Sequence, residues 1–426
     1  MMKSSGRPSL LVLIGPGLLV AATGVGAGDL LTASYAGSKA GMALVWAVVI
    51  GCVFKWALTE GLARWQMATG TTLLEGWTSR LGGWIRWVFL AYLLLWSLIT
   101  GGSLGKACGV AGDGLFPLGD RGTSQAIWTV VHALGGLVLV WFGGFRTFER
   151  IMAVLVASMF VCVILAAALL GPDFEAIGRG LTRPTIRSGD LPYAVGLLGG
   201  VGGTVTLLSY GYWIRESNRS GLEGARLCRI DLGIAYAATG LFGIAMLVIS
   251  SRIAVDRQGA EVALLLADQL REAAGPVARW VFLVGFWGAV FSSLLGVWQS
   301  APYLFADFRQ LSKGDADAIV DVDLDRTRAY RGYLIAIALV PLVLINLSVR
   351  HVQLAHAVLG ALFMPLLAVT LLILNNREDW VGRGFRNRWG SNLLLILTLV
   401  TFAGIGISDL VGRLTGLLGG GGIGPS

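Results

Sequence analysis

Charged residues are scarce in this chain. Asp, Glu, Lys and Arg make up 14% of its 426 residues, whereas about 25% is usual in a soluble domain. Histidine occurs three times, and the four cysteines are scattered without a Cys-x-x-Cys pair. The low charge excludes the soluble classes, and the cysteine spacing argues against a disulfide framework. The three histidines do not form a metal cage, so no cofactor is expected.

The sequence contains many long apolar runs. Ten runs contain no Asp, Glu, Lys or Arg, and each reaches the length of about 18 residues that a membrane-spanning helix needs. An eleventh, weaker run at residues 40–58 contains only Lys55. We therefore expect an all-α polytopic membrane protein with eleven transmembrane helices in a single domain over residues 1–426. The ten charge-free runs lie between residues 7 and 29, 86 and 106, 121 and 146, 150 and 173, 190 and 215, 231 and 252, 279 and 307, 331 and 350, 350 and 377, and 388 and 409.

The distribution of basic residues predicts the orientation of the chain. With the N-terminus inside, the inner segments hold 20 of the 33 Lys and Arg residues and the outer segments hold 11. Because inner loops of membrane proteins are enriched in Lys and Arg, we predict a cytoplasmic N-terminus and an external C-terminus in a plasma membrane of bacterial type. We therefore interpret the basic net charge as an indication of how the chain is oriented in the membrane. The expected partner is the lipid bilayer, with no nucleic acid and no obligate protein partner.

Glycine clusters interrupt two of the predicted spans. The first span has glycines at every second position of residues 24–28 behind Pro16, and the sixth has four within residues 199–203 behind Pro192. Each glycine costs about 1 kcal/mol in a helix relative to Ala, so both clusters predict a helix break. The alternative is that these glycines only let helices approach one another closely.

The two clusters also predict an internal repeat. Interrupted spans at corresponding places in two halves are typical of inverted-repeat transporters, in which the breaks form the substrate site. Five spans separate the clusters, and an odd number gives the two halves opposite orientations. We expect a first repeat at residues 10–171, a second at residues 191–376 and an extra helix 11 at residues 389–412.

Two charged residues in the spans are candidates for function. Asp29 follows the first glycine cluster, and a carboxylate inside a span is a functional candidate by default. Its alternative role is to cap the outer half of a broken helix. Lys106 ends the charge-free run of the third span. It either places a fixed positive charge near the cavity or extends to the membrane interface.

Other polar residues have weaker signals. Lys55 and Glu60 lie in the second span, where Glu60 and Arg64 form an i,i+4 pair; we interpret them as structural or gate contacts. His356 could reach the cavity, although a packed, hydrogen-bonded histidine is the simpler interpretation. A Gly-x-Ser-x-Gly pattern at residues 101–105 lies in an apolar helix without a catalytic partner, so no enzymatic activity is expected.

Several stretches resemble the Nramp family of divalent-metal transporters. The resemblance covers nearly the whole chain and implies a LeuT-type inverted repeat of helices 1–5 and 6–10, with helices 1 and 6 broken. The stretches are IGPGLL at residues 14–19, ATGTTLLEGW at 68–77, GGFRTFERIMAVLV at 143–156, LPYAVGLLGGVGGT at 191–204, and Met364-Pro365.

The positions that the family uses for metal and protons are altered here. The Asp-Pro-Gly-Asn of helix 1 corresponds to Gly-Ala-Gly-Asp at residues 26–29, so the metal-binding Asp is missing and its Asn position is Asp29. The Ala-x-x-Met-Pro-His of helix 6 corresponds to residues 201–206, which contain neither Met nor His. The helix 3 acids correspond to Gly102 and Gly105.

Together these features predict a secondary transporter for a small inorganic ion. Oxygen ligands without sulfur favour Mg²⁺ or Mn²⁺ over softer metals, and the loss of the His and the acids predicts weak or no proton coupling. The alternative on the same fold is a carrier for a small anion or organic solute, with Lys106 neutralising Asp29. The predicted substrate site is Gly26, Asp29, Val201, Gly202 and Thr204, with Asp29 and Thr204 as metal ligands; the coupling or gating candidates are Lys106, Glu60, Thr206 and His356.

Overall fold

All regular structure in the described part of the chain is helical. The computed structural model describes residues 10–187, 189–200, 202–252, 261–312 and 323–419. Six helical segments in these ranges are long and apolar enough to cross a membrane. The all-α class predicted from the apolar runs is therefore confirmed. The six segments are Thr32–Thr69, Ile85–Leu115, Arg121–Leu169, Gly221–Ser251, Pro276–Ser312 and His351–Asn376.

The described ranges contain sixteen α-helices, numbered here in chain order. Short 3₁₀ segments at Gly41–Leu44, Val205–Leu208, Leu324–Arg326 and Val340–Leu344 connect or extend some of them. The helices are α1 (Leu10–Gly24), α2 (Ala27–Ala40), α3 (Val45–Thr69), α4 (Leu73–Arg80), α5 (Ile85–Leu115), α6 (Arg121–Leu169), α7 (Phe174–Thr182), α8 (Leu191–Gly200), α9 (Ser209–Glu216), α10 (Gly221–Ser251), α11 (Glu261–Ala274), α12 (Pro276–Ser312), α13 (Arg328–Leu339), α14 (Val349–Asn376), α15 (Glu378–Val381) and α16 (Trp389–Gly419).

Two spans are interrupted where the glycine clusters lie. α1 ends at Gly24 and α2 starts at Ala27, so residues 25 and 26 form the first break. α8 ends at Gly200 and a 3₁₀ turn starts at Val205, so the described residues 202–204 form the second break. Val201, a predicted site residue, lies outside the described residues. The broken first and sixth spans are confirmed.

The longest helix, α6, is two helices joined by a kink. Gly144 has φ 60° and ψ 167° in its middle, a conformation that is not helical and that glycine adopts readily. The fourth and fifth predicted spans correspond to the two halves of α6. If each broken pair is also taken as one span, the helices accommodate eleven spans. That number remains a prediction, because length and hydropathy alone single out six segments.

Long central helices surround the two breaks. α12 packs against α1, α5 and α6, whereas α10 packs against α1, α2 and α3. α14 packs against α3, α5 and α8. The breaks are thereby enclosed by helices on several sides, which removes their backbone groups from lipid, as membrane depth requires.

Candidate functional site at the two helix breaks

The two breaks touch each other through their backbones. A Cβ atom placed on Gly24 would lie 2.8 Å from the carbonyl carbon of Gly202 and 3.1 Å from the nitrogen of Gly203. Gly202 and Gly203 have φ values of 87° and 86°, which residues with side chains rarely adopt. The close contact therefore requires glycine at position 24, and the backbone turn requires glycine at positions 202 and 203. The glycine clusters therefore do more than let continuous helices pack.

Two serines of α12 bind the carbonyl groups at the first break. The Ser293 hydroxyl donates to the Val25 carbonyl at 2.9 Å, and the Ser292 hydroxyl donates to the Ala22 carbonyl at 3.1 Å. The Ala22 carbonyl lies in the last turn of α1 and the Val25 carbonyl lies in the break itself, and carbonyls at a helix end need partners from outside the helix. A Cβ on Gly26 would lie 2.8 Å from Ser293 Oγ. The first break is thus held closely against α12.

A lysine side chain binds the carbonyl groups at the second break. The ammonium nitrogen of Lys55, from α3, donates to the Gly199 carbonyl at 3.1 Å and also to the Gly203 carbonyl. Gly199 lies in the last turn of α8, where carbonyls lack helical partners and the helix dipole is negative. The Lys55 residue is 0% exposed. A cationic side chain therefore lies on the oxygens that the second break exposes.

α10 covers another side of the second break. A Cβ on Gly202 would lie 3.1 Å from Cε1 of Tyr236 and 3.7 Å from Cγ of Lys55. The Tyr236 hydroxyl shares a hydrogen bond of 2.8 Å with Thr59, one helical turn after Lys55. This buried contact between α3 and α10 fixes the part of α3 from which Lys55 projects.

Thr204 is contacted by two further helices. The indole N–H of Trp96, from α5, donates to Thr204 Oγ1 at 3.3 Å. The Thr204 methyl group would lie 2.5 Å from a Cβ on Gly360, so α14 also approaches closely. Its backbone N–H donates to Thr206 Oγ1 at 3.4 Å. A hydroxyl has two acceptor lone pairs, so Thr204 can still bind a cation, while Thr206 supports the turn.

Three of the predicted substrate-site residues come together at the breaks. Gly26 belongs to the first break, and Gly202 and Thr204 belong to the second. The backbone of Asp29 lies in the first turn of α2, directly after the first break. Its side chain is outside the part of the chain that the structure describes. The substrate and capping roles of Asp29 therefore both remain predictions.

Lys106 and His356 each have a hydrogen-bond partner in the described part of the chain. The Lys106 ammonium donates to the Ile345 carbonyl at 2.5 Å, and His356 Nδ1 lies 3.3 Å from the Ser103 hydroxyl. Leu104 lies between Ser103 and Lys106 in α5, and its side chain is 3.8 Å from a Cβ placed on Gly26. This segment of α5 borders the first break, and the coupling roles of Lys106 and His356 remain predictions.

Glu60 belongs to a buried ion-pair cluster. Its two carboxylate oxygens accept from Arg64 Nε at 2.7 Å and from Arg229 Nε at 2.8 Å. Arg64 also donates to the Asn387 side chain at 2.7 Å, which connects α3 and α10 to the segment before α16. These contacts agree with the structural interpretation of Glu60, and its gating role remains a prediction.

Sequence reasoning missed the serines and the role of Lys55. A Ser-Ser pair in an apolar run looks like an ordinary helix-packing pair, so nothing in the sequence pointed to Ser292 and Ser293. Lys55 interrupts the apolar run at residues 40–58, and a charged residue inside a span is a candidate for function. Its position in the chain, far from the second glycine cluster, gave no indication of the contact.

The acceptor groups that the structure describes at the breaks are neutral oxygens. Within the ranges that the structure describes, no group of three or more His, Cys, Asp or Glu side chains could hold a metal ion. Binding of an ion by backbone carbonyls, by the Thr204 hydroxyl and by Asp29 remains a prediction. Such oxygen ligands suit hard cations.

Comparison with known proteins identifies the family. The family model described as natural resistance-associated macrophage protein-like, or Nramp, matches residues 17–411. The chain belongs to the Nramp family. Nramp membership confirms the resemblance of the sequence motifs and, with the apolar helices, makes this a multi-pass integral membrane protein.

Curated relatives of this Nramp chain have metal-transporter names. It is 31% identical over 201 residues to "Divalent metal cation transporter MntH 1" of Pseudomonas aeruginosa, a match that spans 45% of this chain and 43% of that protein. It is 23% identical over 411 residues to "Metal transporter nramp1 homolog" of Dictyostelium discoideum, across 90% of this chain and 72% of that protein.

Solved structures establish the fold. A variant of the manganese transporter of Eremococcus coleocola superposes with a TM-score of 0.78 at 18% identity, covering 99% of this chain and 91% of that one. MhsT in complex with L-phenylalanine superposes with a TM-score of 0.56 at 14% identity, covering 93% and 100%. The LeuT-type fold is confirmed. The repeat boundaries remain predictions.

Proposed function

We propose that this Nramp chain is a secondary transporter for a divalent cation. The observation that carries the proposal is the backbone contact between the two helix breaks at Gly24 and Gly202 in a member of this family. Broken helices expose carbonyl oxygens and helix ends inside a membrane protein, and carriers of this architecture bind their substrates and ions there. The names of the Pseudomonas and Dictyostelium relatives support a metal as the cargo.

The oxygen ligands support Mg²⁺ or Mn²⁺ as the preferred ion. Thr204 and Thr206 take the positions at which the family's motif has Met and His, so neither a thioether nor an imidazole is available at those positions. Hard cations bind well to carboxylate, carbonyl and hydroxyl oxygens, whereas softer ions gain from sulfur. The Eremococcus structure, a manganese transporter by name, supports Mn²⁺ in particular.

Weak or absent proton coupling is the second part of the proposal. A coupled carrier needs a titratable group whose charge changes as the substrate binds. Gly102 and Gly105 replace the acids of helix 3, and Thr206 replaces the histidine of helix 6. Asp29 would have to bind the cation and exchange protons by itself.

Uptake into proteoliposomes tests both parts. Purified protein is reconstituted, and Mn²⁺ or Mg²⁺ uptake is measured with and without a pH gradient while a dye reports the internal pH. We expect uptake that depends little on the gradient, and weak competition by Cd²⁺. Strong internal acidification following metal entry would contradict the uncoupled mechanism. If the protein transported no divalent cation, the proposal that its substrate is a divalent cation would be rejected.

A small anion or organic solute is the second candidate. The observation that favours it is the pair of buried lysines, Lys55 at the second break and Lys106 on α5, beside which Asp29 would be the single predicted acid. With both lysines charged, the net charge of the cavity would then be positive. Thermal unfolding of the purified protein, scanned with millimolar MgCl₂ and MnCl₂ and with sodium salts of small anions, distinguishes the two. Stabilisation by anions alone would favour this candidate.

A further inference from the structure

The position of Lys55 is unusual because burying an ammonium group is costly. A charged group inside a membrane protein must be compensated by partners, and helix centres are its least favourable location. Lys55 is fully buried, and its ammonium lies on the carbonyls of Gly199 and Gly203. The C-terminal end of α8 adds a negative dipole on the same side. These oxygens form a site that selects a cation.

Oxygens of this kind are the ones that a broken-helix carrier offers to an ion. The unwound carbonyls and the C-terminal ends of half-helices coordinate cations in such proteins. In this chain the same type of position already holds a cation that is covalently attached to α3. A dication that approached these carbonyls would face electrostatic repulsion from the ammonium and would have to displace it.

We propose that Lys55 is a tethered cation that competes with the transported dication for the carbonyl oxygens of Gly199 and Gly203 and so sets the cation affinity of the site. The proposal rests on the proposed divalent-cation function. The lysine stem is flexible, with a compact charge at its end, whereas the Thr59–Tyr236 hydrogen bond holds the backbone of α3 in place. Lys55 can therefore release the carbonyls without movement of the helix.

Two neutral variants of Lys55 test the competition. Lys55→Met removes the charge and the donors at similar length. Lys55→Gln removes the charge but keeps N–H donors for the carbonyls. It can therefore be measured in place of Lys55→Met if that variant is unstable. We expect both to bind Mn²⁺ and Mg²⁺ at least about tenfold more tightly than the wild type, a difference of about 1.4 kcal/mol. Lys55→Arg keeps the charge and should not gain affinity.

The matched control is Lys39→Met, which makes the same change at an exposed position in the last turn of α2. All proteins are compared by isothermal titration calorimetry after gel filtration and thermal unfolding confirm folding. Tighter binding in Lys55→Met or Lys55→Gln, with Lys39→Met unchanged, supports the proposal, even if the wild type does not bind. Folded neutral variants with wild-type or weaker affinity, or with no binding, overturn it. Binding and uptake by the wild type test the divalent-cation function separately.

A measurement on the wild-type protein does not depend on the folding of any neutral variant. The chain has five lysines, so the side-chain NMR signals of ¹³C-labelled lysine are few, and Lys55→Arg assigns the one from Lys55. Saturating Mg²⁺ should shift this signal as the ammonium leaves the carbonyls, while the Lys39 signal stays in place. An unchanged Lys55 signal in protein that calorimetry shows to be Mg²⁺-bound overturns the competition.

Discussion

Gly24 lies directly against Gly202, so that the two helix breaks meet without a side chain between them. The residues are far apart in the chain, yet a Cβ on Gly24 would overlap the carbonyl carbon of Gly202 at 2.8 Å. Because protein interiors are close-packed, a shift of one break must be accommodated by the other. The contact therefore couples the two halves of the candidate site mechanically.

Gly24→Ala should abolish most transport. The added methyl group would meet backbone atoms of the second break, which cannot turn away as a flexible side chain could. We expect the initial rate of Mn²⁺ uptake in proteoliposomes to fall at least about tenfold, the effect of about 1.4 kcal/mol on a barrier. The control is Gly233→Ala in α10, where a Cβ would have no neighbour within 4 Å. Equal rates for both variants would show that the breaks do not need this contact.

Loss of the α12 hydroxyls should destabilise the protein. In the double variant Ser292→Ala and Ser293→Ala, the carbonyls of Ala22 and Val25 lose their donors in a buried place. Unsatisfied buried groups cost about 1–3 kcal/mol, so the thermal unfolding midpoint in detergent should fall. Ser251→Ala is the control, because that hydroxyl bonds the Val248 carbonyl of its own helix. An unchanged midpoint for the double variant would mean that other donors replace the serines.

Glu60→Gln separates a structural role from a coupling role. The substitution leaves Arg64, which is 3% exposed, without its nearest carboxylate. Breaking a buried ion pair costs about 3–5 kcal/mol, so we expect a large loss of thermal stability. Glu175→Gln, in the exposed pair with Arg179, should have almost no effect. A Glu60→Gln protein of normal stability, whose uptake depends differently on pH, would show instead that Glu60 takes part in coupling.

The orientation can be tested with single cysteines. The four native cysteines are free and are first replaced by Ala or Ser. Lys3→Cys should then react only with reagents on the cytoplasmic side, and Ser426→Cys only with impermeant reagents outside. Labelling of both from one side would contradict the odd number of spans and with it the repeat boundaries.

The fold was more predictable from sequence than the site. Charge-free runs reveal spans because hydrocarbon excludes charge along the whole length of a helix, and clustered glycines reveal breaks because each weakens helix locally. Both are local properties. The contacts of Lys55 with Gly199 and of Ser293 with Val25 join residues 144 and 268 positions apart. Which oxygens a side chain meets at such distances depends on helix packing, and a single sequence records this only indirectly.

Asp29 is the residue on which cation binding should depend most. It is the one acid that the sequence places beside the first break, and neutral oxygens alone neutralise none of a dication's charge. We expect Asp29→Ala to abolish Mn²⁺ and Mg²⁺ binding in calorimetry and uptake in proteoliposomes. Asp29→Asn, which keeps one oxygen ligand without the charge, should weaken binding less. In the wild type, Cd²⁺ should bind more weakly than Mn²⁺, because no thioether is available at the second break.

The control for Asp29 is Asp379→Ala, which removes one exposed carboxylate from α15. If Asp29, the third residue of α2, only stabilises the N-terminus of that helix, its loss should lower stability by about 0.3–1 kcal/mol and leave the dissociation constant unchanged. Binding and thermal unfolding measured on the same samples therefore separate a ligand from a cap. Retained affinity in Asp29→Ala together with a lower unfolding midpoint would assign Asp29 to the cap and leave the carbonyls and Thr204 as the cation ligands.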